Sequence, residues 1–230
     1  MVLHTNPLPT NPGVEPAALA ADEWLRPEWD RAALLTIDTQ VDFIEGGAMP
    51  VAGTAAVLPA MAGLVAAFRA AGRPIVHVVR LHDGPDVDLA RRTLLDGGAP
   101  IARPGTPGAE PAPQIVPPGA PGVDADALLK GGFQPLGPGE WAMWKPRWGA
   151  FHRTGLEDFL RERGVTTVVV AGCNFPNCPR AAIFGASERD FRVVAAADAI
   201  SGVDGRHLEE AARIGALHAP AAVIAAAVRR

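Results

Sequence analysis

TTVVVAGCNFPNCPRAAIFGASER, residues 166–189, is the stretch that decides the fold. Thr166 to Ala171 is a β-branched, apolar run with no polar alternation. It reads as a strand buried on both faces. Gly172, Asn174, Pro176 and Asn177 then interrupt regular structure. From Cys178 to Arg189 the pattern becomes helical. A buried strand, a short loop and a helix form the unit of a parallel sheet covered by helices.

The same alternation extends outward in both directions. Upstream, Leu156 to Arg163 reads as a helix closed by Gly164, and Trp141 to Lys145 as a strand. Earlier still come two more apolar strands, Ala32 to Ile37 and Pro74 to Val79. Between them Thr54 to Ala71 carries Val57, Met61, Leu64, Val65 and Phe68 at helical spacing, and Gly72 stops it. Downstream lie a strand from Phe191 to Ala196, a helix from His207 to Leu217 and a sixth strand from Ala222 to Ala226. The expected fold is a three-layer, doubly wound α/β domain. Its six-stranded, mostly parallel sheet has order 3-2-1-4-5-6, with helices on both faces.

Three regions divide the chain. Residues 1–30, rich in Pro and polar side chains, are expected to form an extended arm, packed on a neighbouring subunit. Residues 31–230 form one domain. Within it, residues 83–140 are dense in Gly and Pro, so regular structure there is short. A helix is expected at Asp124 to Lys130, and the segment reads as a pocket-forming insert.

Composition excludes several function classes. The 230 residues carry a net charge of -4, which disfavours nucleic acid or an anionic membrane as partner. No apolar run reaches the ~18–20 residues of a membrane span, and no basic-then-apolar leader opens the sequence. The two cysteines, Cys173 and Cys178, make no disulfide framework and lack the further ligands that zinc requires, so a cytoplasmic setting is expected. No glycine-rich phosphate loop or dinucleotide fingerprint is present, and no cofactor is expected.

Three side chains stand at ends of strands or starts of helices, where α/β sheets place their ligands. Asp38 ends the first strand. Cys178 opens the helix after the fourth, a neighbour of the first in this order, so both face one crevice. Unpaired N–H groups at a helix start favour thiolate and can hold an oxyanion. A cysteine there serves equally well as a small buried core residue. Cys173, at the end of a buried strand, reads as core. Lys145 ends the third strand and by itself reads as a surface lysine. Asp42 suits a local turn. His82 with Asp83 hints at a metal, but their spacing reads as loop charge.

Taken in order, three segments resemble the isochorismatase-like cysteine hydrolases: Asp38-Thr39-Gln40-Val41-Asp42-Phe43, Lys145-Pro146-Arg147-Trp148-Gly149-Ala150-Phe151, and Gly172-Cys173-Asn174-Phe175-Pro176-Asn177-Cys178. The resemblance covers about Ala32 to Val228. It implies an Asp38–Lys145–Cys178 triad, with Cys178 as nucleophile, Asp38 as general base and Lys145 orienting it. It also implies an oxyanion hole from the N–H groups of Asn174 and Cys178, a cis peptide at Cys173–Asn174, and a homodimer or homotetramer. Phe175 and Pro179 depart from the family's Thr and Val, and Gly149 from its Ser. Arg80-Leu81-His82 stands where nicotinamidases carry an Asp-x-His metal motif, so neither metal nor nicotinamide is expected.

The implied activity is hydrolysis of a C–N bond in a small amide, carbamoyl or lactam substrate through a thioester. A streptothricin-type lactam hydrolase is a narrower version. Phe43, Trp144, Trp148 and Phe175 are candidate pocket walls, which predicts an apolar substrate. A non-catalytic or redox-sensing α/β protein using Cys173 and Cys178 is the alternative.

Overall fold

The structure, a computed structural model, describes residues 22–230. Its sheet has seven strands: β1 (Ala32–Ile37), β2 (Ile75–Val79), β3 (Phe133–Gly137), β4 (Glu140–Trp144), β5 (Thr167–Gly172), β6 (Arg192–Ile200) and β7 (Leu217–Ala219). Their order is β3-β4-β2-β1-β5-β6-β7, and all neighbours run parallel except the β3–β4 hairpin.

Two expectations are corrected here. The sheet gains an edge strand, β3, in the insert. Pro135 within it and the glycines around it argue against a strand in sequence. An edge strand tolerates proline because one side of its backbone needs no partner. The sixth parallel strand is β7, not Ala222 to Ala226. That stretch lies in a helix, Ala221–Val228, which Pro220 precedes at the cap. Alanine carries the strongest helix propensity, and an all-apolar run has no periodicity to tell buried helix from buried strand.

Seven helices complete the fold: α1 (Thr54–Ala70), α2 (Leu89–Asp96), α3 (Ala125–Leu129), α4 (Leu156–Arg161), α5 (Cys178–Ser187), α6 (Gly205–Ala212) and α7 (Ala221–Val228). Successive strand residues alternate between two cores, as the pleat requires. Ala33, Leu35, Val168, Val170, Val193 and Ala195 pack with α4, α5 and α6. Ala32, Leu34, Val169, Ala171, Val194 and Ala196 pack with α1 and α7. Residues 1–21 of the expected arm lie outside the described residues. Glu28 at its end donates its N–H to Thr167 Oγ1 at 2.9 Å, so this part lies along the chain's own β5.

A buried polar network ties the sheet together. Thr36 donates to His77 Nδ1 at 2.7 Å, and His77 Nε2 donates to Glu140 Oε1 at 2.8 Å. Arg69 of α1 grips the same carboxylate at 2.8 and 2.9 Å. Three neighbouring strands and a helix are thereby pinned at one carboxylate. Burial pushes Glu140 up, but the hydrogen bonds from His77 and Arg69 outweigh it and hold the carboxyl below its ordinary value. A depressed folded pKa means stability present above the ordinary carboxylate range and lost as pH falls through the folded value. Glu140→Gln is expected to cost about 2–3 kcal/mol at pH 7, less than a fully buried pair because Arg69 is partly exposed. Urea unfolding at pH 7 and pH 3 checks this: the gap between the two proteins should narrow in acid.

Asp42 anchors the insert. Its carboxylate accepts from Ala48 N at 3.2 Å and Ala102 N at 2.6 Å, the turn role expected of it. A Cβ at Gly108 would lie 2.2 Å from that carboxylate, so the loop can pass only as glycine.

Candidate active site

The order β4-β2-β1-β5 brings the carboxyl ends of four parallel strands side by side, and the residues just beyond those ends build the site. Asp38 comes directly after β1 in the left-handed region, φ +49°, which aspartate tolerates better than branched residues do. Its N–H donates to Val78 O at 2.9 Å. Lys145 comes directly after β4 and is fully buried. Its Nζ donates to Asp38 Oδ2 at 2.9 Å and to Arg147 O at 3.1 Å. A lysine alone reads as a surface residue; the carboxylate beside this one offsets the cost of its burial.

Cys178 opens α5 and is 4% exposed. The preceding loop contains a cis peptide at Cys173–Asn174. A Cβ at Gly172 would stand 2.2 Å from Ile37 O, so the close approach of β5 to β1 at this level demands glycine. The N–H groups of Asn174 and of Cys178 have no hydrogen-bond partner among the described residues. Cys173 Sγ donates to Asp38 O at 3.0 Å, and burial followed by the nearby Asp38 carboxylate pushes its pKa far up. Cys173 is thus a core residue that braces the Asp38 backbone.

The Cys178 thiol differs from expectation. Burial pushes its pKa up, the Asp38 carboxylate pushes it the same way, and Lys145 and Arg80 pull it back only in part. Both effects favour the protonated thiol, and the Asp38 carboxylate lies alongside.

Sequence reasoning casts Arg80 as an obstacle to metal and misses its place in the site. Its guanidinium is 1% exposed. Nη2 lies 3.9 Å from Cys178 Sγ, Nε 3.9 Å from Asp38 Oδ2, and Nη1 2.7 Å from Asp88 Oδ2. Gln40 holds the Arg80 backbone at both ends: its Oε1 accepts from Arg80 N at 2.7 Å and its Nε2 donates to Arg80 O at 2.8 Å. A signal is present in the sequence, since Arg80 comes directly after β2, the strand beside β1.

His82 donates from Nδ1 to Ile101 O at 3.0 Å, which leaves Nε2 as a bare, buried acceptor with no partner. Burial, with Arg80 and Arg91 nearby, lowers its pKa to about 4, so it is neutral at pH 7. A divalent ion would find this one nitrogen beside a guanidinium, and no cluster of three metal-type side chains among the described residues. The residues present do not fit a metal.

The candidate walls separate. Trp148 faces Arg80, with the guanidinium carbon 5.2 Å from the ring centre. Phe175 packs in the same core cluster as Cys178, but its ring faces His207 at 4.9 Å. Phe43 packs with Ile101, Ala102 and Cys173. Trp144 packs beside Leu81, Leu136 and Ala142 and donates Nε1 to Leu81 O at 3.2 Å.

Comparison with known proteins agrees with this architecture. The isochorismatase domain model matches residues 32–227. A probable inactive nicotinamidase of Arabidopsis thaliana is 35% identical over 168 residues, covering 71% of this chain and 76% of that protein. An isochorismatase family protein from Desulfovibrio vulgaris superposes with a TM-score of 0.73 at 32% identity, over 87% of this chain and 99% of that one. The nicotinamidase of Bacillus subtilis does so with a TM-score of 0.63 at 28% identity, over 82% and 99%. A domain match over most of its length, a shared sheet and ordered motifs at its strand ends make this chain a member of the isochorismatase family.

Proposed function

We propose that the protein hydrolyses a C–N bond of a small amide, carbamoyl or lactam substrate, with Cys178 as nucleophile, Asp38 as general base and Lys145 as its partner. What supports this reading is the buried Lys145–Asp38 pair, 2.9 Å apart, with the Cys178 thiol next to the carboxylate. As the Cys178 sulfur attacks the carbonyl carbon, its proton passes to Asp38. The oxyanion forms within reach of the unpartnered N–H groups of Asn174 and Cys178. When it collapses, the C–N bond breaks and Asp38 returns the proton to the departing nitrogen. Water then attacks the thioester, gives a proton to Asp38, and the acid leaves as the thiol re-forms.

Access needs a movement, since Cys178 and Arg80 are both buried. Either the Arg80 side chain or the segment carrying Asp88 must shift. That closure, together with an Arabidopsis relative named as probably inactive, favours the non-catalytic reading as the rival. The two free, buried thiols support a reducing, cytoplasmic setting. No helix among the described residues is long and apolar enough to cross a membrane.

The test is a panel of primary amides, N-carbamoyl compounds and lactams scored for ammonia or amine release, with intact-protein mass spectra taken during turnover. The expected result is release from at least one class, with an acyl adduct on the Cys178 peptide. Release with no adduct and undiminished by alkylating Cys178 would overturn the thioester route. No release across the panel, with the fold intact, would favour the rival.

A further inference from the structure

The cations around the nucleophile outnumber the carboxylates. Lys145 is neutralised by Asp38 and Arg80 by Asp88. Arg91, on the first turn of α2, has no carboxylate within 4.0 Å among the described residues. Its Nη1 reaches only the weak acceptor Met49 Sδ at 3.1 Å, and its Nε is buried without a partner. His82 beside it is neutral and offers no compensating charge. A half-buried guanidinium with no carboxylate partner is costly unless an anion completes the set.

Trp148 fixes where that anion would sit. The Arg91 guanidinium carbon lies 5.3 Å from the indole centre and that of Arg80 lies 5.2 Å from it. One ring therefore carries both cations, and the Arg80 cation also touches Cys178 Sγ. Arg80 Nε and His82 Nε2, on residues 1% and 2% exposed, also lack hydrogen-bond partners, as do Asp38 Oδ1 and both Asp88 carboxylate oxygens. Two N–H donors and one bare imidazole nitrogen are the complement of a carboxylate next to an amide N–H.

Resting on the hydrolase reading above, we propose that the substrate is an amide or carbamoyl compound bearing a carboxylate, which Arg91 binds as the specificity-determining residue. Trp148 forms the floor beneath the substrate chain. Arg80 lines the path from the carboxylate to the sulfur. His82 Nε2 accepts a hydrogen bond from the substrate nitrogen. This replaces the apolar pocket that the aromatic residues suggest in the sequence.

The test has two independent arms. In the first, succinate binding is measured by calorimetry on the wild-type chain and on Arg91→Gln and Arg91→Lys. Wild-type protein should bind it, Arg91→Gln should weaken binding about 10–100-fold, and Arg91→Lys should recover part of it. In the second, kcat/KM is compared for succinamate and butanamide, and for N-carbamoylglycine and N-propylurea. The carboxylate-bearing member should win by about tenfold or more, and Arg91→Gln should cut that preference about 10–100-fold, mainly through KM. Absence of succinate binding, or binding and preference untouched by Arg91→Gln, would overturn the proposal. The calorimetric arm needs no turnover. An anion site without hydrolysis would therefore sink the hydrolase reading alone, and hydrolysis indifferent to charge would sink the anion site alone.

Discussion

Cys178→Ala should abolish amide hydrolysis, lowering kcat by about 10⁴–10⁶-fold, while the unfolding midpoint stays near that of the wild type. Loss of a nucleophile typically costs this much, because the residual rate comes only from binding and the oxyanion donors. The neighbouring thiol cannot rescue the reaction: Cys173 Sγ is committed to Asp38 O and its proton is held far more tightly than an ordinary thiol's. Removing one sulfur from a site next to a charged side chain leaves a small cavity, worth about 1 kcal/mol or less. The check is ammonia release at saturating substrate alongside a denaturant curve. A purified Cys178→Ala protein that kept more than a few per cent of wild-type turnover would end the assignment. The raised thiol pKa adds a sign to be tested. In the substrate-free protein the rate of Cys178 alkylation should climb with pH through a midpoint above the ~8.5 of a free cysteine, not below it.

Lys145→Met should be the most destructive single change for the fold, costing about 3–5 kcal/mol. The lysine is fully buried, and without it the Asp38 carboxylate keeps only Arg80, whose Nε is 3.9 Å away and already shared with Asp88. Activity should fall with it, by about 10³-fold or more, since the Asp38 carboxylate loses the ammonium that holds and orients it. A companion variant separates the two effects. Adding Asp38→Asn to Lys145→Met removes the orphaned charge, so stability should recover in part while activity stays lost. Lys145→Met with wild-type stability and turnover would show that the pair contributes to neither.

The sheet is largely legible in the sequence because buried parallel strands announce themselves as β-branched runs bounded by glycine. Where this signal is diluted, legibility ends. Pro135 disguises β3, and the alanine-rich tail has no period, so α7 resembles a buried strand. In the site, Asp38 and Cys178 can be placed at one crevice because each sits at an element boundary whose position is set by strand order, whereas Lys145 joins them only through the motif resemblance. The direction of the Cys178 shift cannot, since it depends on how deeply the sulfur is covered and on which charges surround it. Arg80 and Arg91 are a similar case. Their meaning lies in a pairing with Asp88 and in contacts with the ring of Trp148, which no spacing encodes.

The division of labour between segments has a consequence for how such a protein diversifies. On the proposed reading, the reacting groups hang from β1, β4 and the β5–α5 junction, all inside the double core. Asp88 and Arg91 belong instead to the insert after β2, which is held to the scaffold by Asp42 at Ala102 N and by Arg147 and Arg153 at Asp86. On that reading selectivity is written on a replaceable cassette and reactivity on the chassis. Exchanging residues 83–103 between relatives should retune which molecules are accepted while the acyl-transfer apparatus passes through unaltered.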